Sequence, residues 1–193
     1  MADGNFIFFD METLGVSDSA LILSIGVIYV KPNYDVTNFK SLVSHGINLK
    51  INHQEQLKTR VVESDTLNWW GTQGEEAKYV LSNKDCIPIQ EVYSVIKNYF
   101  KENNFDIKKD IIWSRGMIDQ RWWQHFCNYT VKKEDFLPFW RWREVRTALD
   151  VMTGSAYGFN TYQKPKEFIK HNSLHDACVD AQRMFYALGK FEE

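Results

Sequence analysis

The apolar run Phe6-Ile7-Phe8-Phe9 ends abruptly in Asp10-Met11-Glu12, and no other segment constrains the chain as tightly. A run of this kind reads as a buried strand, and in a strand side chains two apart share a face, so Asp10 and Glu12 point the same way. Two carboxylates forced together repel, and a hydrogen-bonded or cationic partner has to offset that cost. Divalent metal ions are the natural partner.

Two further acidic fragments fit the same site: Gly116-Met117-Ile118-Asp119 and His175-Asp176-Ala177-Cys178-Val179-Asp180. Each is common alone; in this order the three read as a nuclease that uses two metal ions. Phosphodiester hydrolysis needs a nucleophilic water and stabilisation of the departing oxygen, and two divalent ions about 3.5–4 Å apart serve both needs. Magnesium and manganese favour oxygen ligands, chiefly carboxylates. Asp10 and Glu12 from the first strand, Asp119 from the start of a mid-chain helix and Asp180 from the last helix make up the expected set. His175 stands five positions before Asp180, near the start of that helix. The helix N-terminus favours a neutral imidazole there, which suits a general base. A rival grouping, zinc on His171, His175 and Cys178, needs a continuous helix from 171 onward, whereas Asn172-Ser173 reads as a helix start between the two histidines.

The remaining pattern alternates. Strands are expected over Phe6–Asp10, Leu21–Val30 and, within Phe39–Ile51, a third. A helix capped by Ser64 or Asp65 carries Trp69 and Trp70. Pro88 opens a stronger one, with Ile89, Val92, Val95, Ile96 and Tyr99 on one face. Ile111-Ile112-Trp113 is a short buried strand, followed after Gly116 by a helix through Trp122, Trp123 and Phe126. Phe139–Trp142 is expected as the fifth strand, with a helix from about Glu144 to Met152. Residues 154–170 are loop-like, and the last helix runs from about Ser173 or Leu174 to Leu188, stopping at Gly189. Strands followed by alternating helix and strand give a mixed α/β sheet flanked by helices.

With 193 residues and 44% hydrophobic content the chain has ample core for one domain. A net charge of −2 at first argues against a polyanionic ligand, but two bound divalent cations would reverse its sign. The longest apolar region, Ala20–Val30, is broken by Ser24 and Gly26 and is too short to span a membrane, and no signal peptide is evident. Three scattered cysteines, Cys86, Cys127 and Cys178, fit a reducing cytosol. The expectation is a soluble cytoplasmic domain.

The three acidic motifs resemble those of the DEDD superfamily of 3′→5′ exonucleases, which adopt a ribonuclease-H-like fold. The histidine ahead of the last aspartate marks the His-type (DEDDh) branch. Closer still, the chain resembles the exodeoxyribonuclease A family of T-even-type phages. That likeness extends through Thr66-Leu67-Asn68-Trp69-Trp70, Arg115-Gly116-Met117, Arg143-Glu144-Val145-Arg146-Thr147 and His171-Asn172-Ser173-Leu174-His175-Asp176. The resemblance implies a single exonuclease domain over 1–193, on a mixed five-stranded sheet. It implies Asp10, Glu12, Asp119 and Asp180 as metal ligands, His175 as base, and two Mg2+ or Mn2+ ions. Its expected reaction releases nucleoside 5′-monophosphates from single-stranded DNA, with RNA as the alternative substrate and a non-catalytic nucleic-acid-binding module as a more distant one. Phage origin would place the work in the infected host's cytoplasm. Arg115-Gly116 departs from the broad superfamily, where an Asn often stands.

Substrate contacts are expected from Thr13 and Leu14, which follow the first acidic pair, with Leu14 wedged against a base. Trp70 is expected to stack beside the site, since adjacent Trp69 and Trp70 cannot both face the core. Arg115 is expected to hold a phosphate bidentately.

Overall fold

The computed structural model describes residues 5–31, 33–158 and 161–189. Its named elements, in chain order, are β1 (Phe6–Thr13), β2 (Ile22–Val30), α1 (Phe39–His45), β3 (Ile47–Lys50), α2 (Ser64–Gly71), α3 (Glu75–Lys78), α4 (Ile89–Glu102), β4 (Ile111–Ser114), α5 (Ile118–His125), β5 (Trp142–Glu144), α6 (Val145–Thr153) and α7 (Ser173–Ala187). The strands form one five-stranded sheet in the order β3-β2-β1-β4-β5. β1–β2 and β2–β3 pair antiparallel, whereas β1–β4 and β4–β5 pair parallel. This is the mixed sheet expected from the pattern.

Alternation along β1 divides the core in two. Ile7, Phe9 and Met11 join Ile25, Val27 and Tyr29 of β2 against Val92, Ile96 and Phe100 of α4 and Trp122 and Trp123 of α5. Phe8 joins Ile28 and Val30 against Phe39 and Leu42 of α1, Val145 and Leu149 of α6, and Leu174, Ala177, Cys178 and Ala181 of α7. Asp10 and Glu12 continue the even-numbered series and therefore lie on the α7 face. Leu14, Leu21, Leu23, Trp70, Ala77 and Val80 form a separate cluster beyond the end of β1.

The third strand is shorter than the sequence suggested, and the fifth lies later in the chain. Residues 39–45 are helical because the Asn38 side chain accepts from the Ser41 amide and caps the turn, with Phe39 and Leu42 buried one turn apart. Only Ile47–Lys50 then pairs with β2. Phe139–Arg141 form a 3-10 turn with both aromatic rings exposed, and β5 begins at Trp142. Among the described residues no helix is long and apolar enough to cross a membrane.

α7 lies across β1 and β2. Its first turn rests on Gly26, where an added Cβ would stand 2.2 Å from the Leu174 amide nitrogen and 2.2 Å from the Ser173 carbonyl carbon. Gly26 is the register partner of Asp10 on one side and of Asn48 on the other. A side chain there has to push the helix backbone off the sheet beside the acidic pair. Gly26→Ala is expected to cost about 3 kcal/mol, read as a lower midpoint in urea unfolding with the m-value unchanged. A variant as stable as the parent would show that α7 is not seated on this glycine.

Candidate active site

The acidic pair sits where β1 outruns its parallel neighbour. Pairing with β4 ends at Phe8–Trp113, which frees that edge of β1 beyond it. Asp119, in the first turn of α5, fills the gap by accepting the Met11 amide at Oδ1, 2.9 Å away. The turn that delivers it needs a left-handed residue at Gly116 (φ +88°). Glu144 fixes that turn by accepting the Gly116 amide at 2.9 Å, while also capping α6 through the Arg146 and Thr147 amides.

The C-terminal contribution comes from the start of α7. Asn172 caps the helix by accepting the His175 amide at 3.2 Å. His171, just outside it, adopts φ +62°, an uncommon conformation for a non-glycine residue, and its backbone turns back to donate to Asp176 Oδ2 at 2.8 Å. The imidazole then lies with Nδ1 3.6 Å from Glu12 Oε1 and edge-on to Trp69, 4.7 Å between centroids. Ligand atoms of Glu12, His171 and Asp176 all fall within 4.8 Å of one another.

Charge crowding follows from this geometry. Burial, then Asp119, Glu12, Asp176 and Asp180, hold the Asp10 carboxyl well above the carboxylate range. Asp119 is raised by burial and by Glu12 and Asp180, against the opposing Met11 amide. Burial pushes Glu12 up to about 8, with Lys170 opposing. Burial, Glu12 and Asp180 push Asp176 to about 7. Burial lowers His171 below its ordinary value, Lys170 and Lys164 lower it further, and Asp176 opposes them. Asp10 Oδ2 is buried and has no hydrogen-bond partner among the described residues. Oxygen donors crowded in this way, one of them orphaned, fit hard divalent cations.

Several expected positions lie elsewhere. His175 does not reach the cluster. Its Nδ1 accepts the Ile169 amide at 3.0 Å and its ring packs edge-on against Phe39, because its place on α7 faces α1. Asp180 is close enough to raise its acidic neighbours, but its carboxylate is committed to Arg115. Arg115 Nε lies 2.9 and 3.0 Å from its two oxygens, Nη2 2.7 Å from Oδ1, and Arg183 Nη1 3.5 Å from Oδ1. Arg115 spends its remaining nitrogen on the Gly158 carbonyl, so its guanidinium holds protein groups rather than facing an open phosphate site. Trp70 is fully buried and donates to the Thr13 carbonyl, whereas Trp69 is 42% exposed. Leu14 is turned into the core beside Trp70. Thr13 does line a groove with Glu12, Gly15, Val16, Thr66 and Trp69. The three residues of the rival zinc site diverge: His171 toward Glu12, His175 toward Phe39, and Cys178 into the core.

The structure thus brings His171, Asp176 and Trp69, which the sequence reading did not assign to the acidic site, beside Glu12. The signal was present. The five-residue spacing from His to Asp occurs twice, as His171–Asp176 and His175–Asp180, and Asn172-Ser173 marks a helix start inside the first pair.

A family described as the 3′-5′ exoribonuclease Rv2179c-like domain matches residues 5–188. An exodeoxyribonuclease of Enterobacteria phage T4 is 30% identical over 203 residues, covering 93% of this chain and 87% of the relative. The nuclease domain of 3′hExo, a DEDDh family member bound to rAMP, superposes with a TM-score of 0.55 at 14% identity, over 94% of this chain and 92% of that one. That likeness carries the ribonuclease-H-like fold.

Glu12 and Asp176 carry a stability signature. Their folded-state values, about 8 and about 7, lie above their ordinary ones. Folding therefore favours the protonated forms, and this contribution is full at low pH and is lost as pH rises through 7 to 8. With chelator present, the melting temperature should fall from about pH 5 to about pH 8 and level off above that. Saturating Mn2+ should flatten that fall, because the ionised forms become ligands. Equal slopes with and without the cation, followed by differential scanning fluorimetry, would show that these carboxylates do not hold it.

Proposed function

This chain belongs to the Rv2179c-like 3′-5′ exoribonuclease domain family and is a 3′→5′ exonuclease of DEDDh type, and from that premise we propose that it removes nucleoside 5′-monophosphates one at a time from the 3′ end of single-stranded DNA. The observation that carries the reading is the convergence of Glu12, His171 and Asp176 beside the orphaned Asp10 oxygen. Residues 1–193 act as one exonuclease domain, at work in the cytoplasm of an infected bacterium if the kinship to the phage relative extends to its biology.

Asp10, Glu12, Asp119 and Asp176 would hold two divalent ions, Mg2+ or Mn2+. When bound, such ions acidify the attacking water and stabilise the departing oxygen. His171 takes the proton of that water as it attacks the terminal phosphorus, and the 3′ oxygen of the preceding nucleotide leaves. Burial and two nearby lysines keep the imidazole neutral at physiological pH, as a base requires. The groove beyond Glu12, about 380 Å³ and lined by Thr13, Val16, Thr66 and Trp69, receives the terminal nucleoside, with the exposed face of Trp69 for stacking. Asp180 and Arg115 serve the site from behind, as a charge pair that holds the end of β4 to α7.

DNA is preferred over RNA because the phage relative, a named exodeoxyribonuclease, is aligned over nearly the whole chain. The family description favours the second reading, an exoribonuclease with the same ligands. The 2′-hydroxyl is what separates the two.

With 5′-labelled single strands of DNA and RNA and added Mg2+ or Mn2+, a ladder shortening from the 3′ end should appear, faster on DNA. It should vanish with chelator or with Asp10→Ala. Faster shortening of RNA would reverse the substrate assignment. His171→Ala should lower kcat by about 10²- to 10⁴-fold with little change in KM, whereas His175→Ala should change kcat by less than about threefold. The opposite ranking would return the base to His175.

A further inference from the structure

His171 lies outside α7, in a left-handed conformation that no helical hydrogen bond enforces, so something else has to hold its position. The next two residues are tied to the edge of the sheet. Asn48 Nδ2 donates to Asn172 Oδ1 at 3.1 Å, and Asn48 Oδ1 accepts from Ser173 Oγ at 3.1 Å. Ser173 Oγ is also bonded to Ser24 Oγ at 2.9 Å. Ser173 is fully buried and Ser24 nearly so. Ser24 is the register partner of Glu12, and Asn48 that of Gly26. One carboxamide therefore grips both residues that follow His171, on the strand next to the glycine that seats the same helical turn.

We infer that Asn48 is a positioning residue for the exonuclease reaction: it latches the first turn of α7 to β3 so that the His171 imidazole stays against Glu12. This rests on the reading of His171 as the base. Asn48 is solvent-exposed and touches neither the acidic cluster nor the groove beyond Glu12. It also borders a cavity of about 220 Å³ that it shares with Lys50, His171 and Asn172. Removing its side chain enlarges a space already present, without leaving a void in the core. A net hydrogen bond of ordinary strength corresponds to a few-fold effect on the occupancy of the held geometry. The latch thus acts on turnover, with a stability cost no larger than that of the hydrogen bonds removed.

The test is a double-mutant cycle on the full chain with a single-stranded oligonucleotide and Mn2+. Asn48→Ala should lower kcat about three- to tenfold, with KM nearly unchanged and the melting temperature lowered by no more than a few degrees. In a His171→Ala background the same substitution should lower the residual rate less than about twofold, since the group it positions is gone. Equal loss in both backgrounds would overturn the proposal in favour of a general structural role. Full kcat in Asn48→Ala, with His171→Ala impaired, would overturn it while leaving His171 as the base. An unimpaired His171→Ala would overturn that reading and the proposal together. Histidine side-chain NMR supplies a readout independent of rate. Asn48→Ala should shift or broaden the His171 ring signals and leave those of His175 in place, and unchanged His171 signals would count against the latch.

Discussion

The seating of the first turn of α7 on Gly26 is the contact on which the site depends. Backbone meets backbone there, at a distance that only a residue without a side chain permits. Gly26 pairs with Asp10, so the helix is fixed directly beside the strand acid. Leu174 extends the same contact to Gly46, where an added Cβ would meet a Leu174 methyl at 2.3 Å. With the helix start set to this closeness, Asp176 falls over Glu12, and His171 needs only the left-handed turn at its own backbone to return to the same place. The sheet and the helix are each ordinary; their spacing makes the site.

That spacing also creates its electrostatic problem. Carboxylates converge from β1, α5 and α7 in a buried corner, and each raises its neighbours. The fold relieves the crowding unevenly. Asp119 receives a backbone amide from Met11, and Asp176 one from His171. Asp180, one turn beyond Asp176 on the same side of α7, is neutralised by Arg115 and Arg183. Asp10 Oδ2 receives nothing among the described residues. Two acids four apart on one helix thus have different surroundings, one left among carboxylates and one enclosed by guanidinium groups. An unrelieved cluster costs stability in the absence of cations, the kind of local expense that functional sites carry.

Much of this was legible because it depends on strict periodicities. The period of two along Phe6–Glu12 put both strand acids on one face, and the 3.6-residue period of Ile89–Tyr99 gave the core helix. Asp119 was legible as the first turn of a helix following Gly116. What failed depended on contacts between distant parts of the chain. Nothing local tells Trp69 from Trp70; the choice is made by the Thr13 carbonyl, which takes the indole N–H of Trp70 and draws that ring inside. Arg115 has the chemistry of a phosphate ligand, and only the approach of Asp180 from 65 positions away commits it otherwise. Leu14 was expected to wedge against a base, yet just beyond β1 it packs into a third cluster with Leu21, Leu23, Trp70, Ala77 and Val80.

The separation of His175 from the acidic cluster has a local cause. Residues five apart in a regular helix point about 140° away from each other. His175 and Asp180 both lie inside α7, so their side chains leave the helix on different faces, His175 against Phe39 and Asp180 against Arg115. His171 and Asp176 escape this restriction because the helix begins between them, at the Asn172 cap, and the residue ahead of a cap is free of helical dihedrals. In this chain the five-residue His–Asp spacing brings the side chains together where a capping residue stands just after the histidine. Asn172-Ser173 was visible in the sequence as such a start. Given two pairs with equal spacing, the position of the cap selects the first as the pair whose side chains meet Glu12 together.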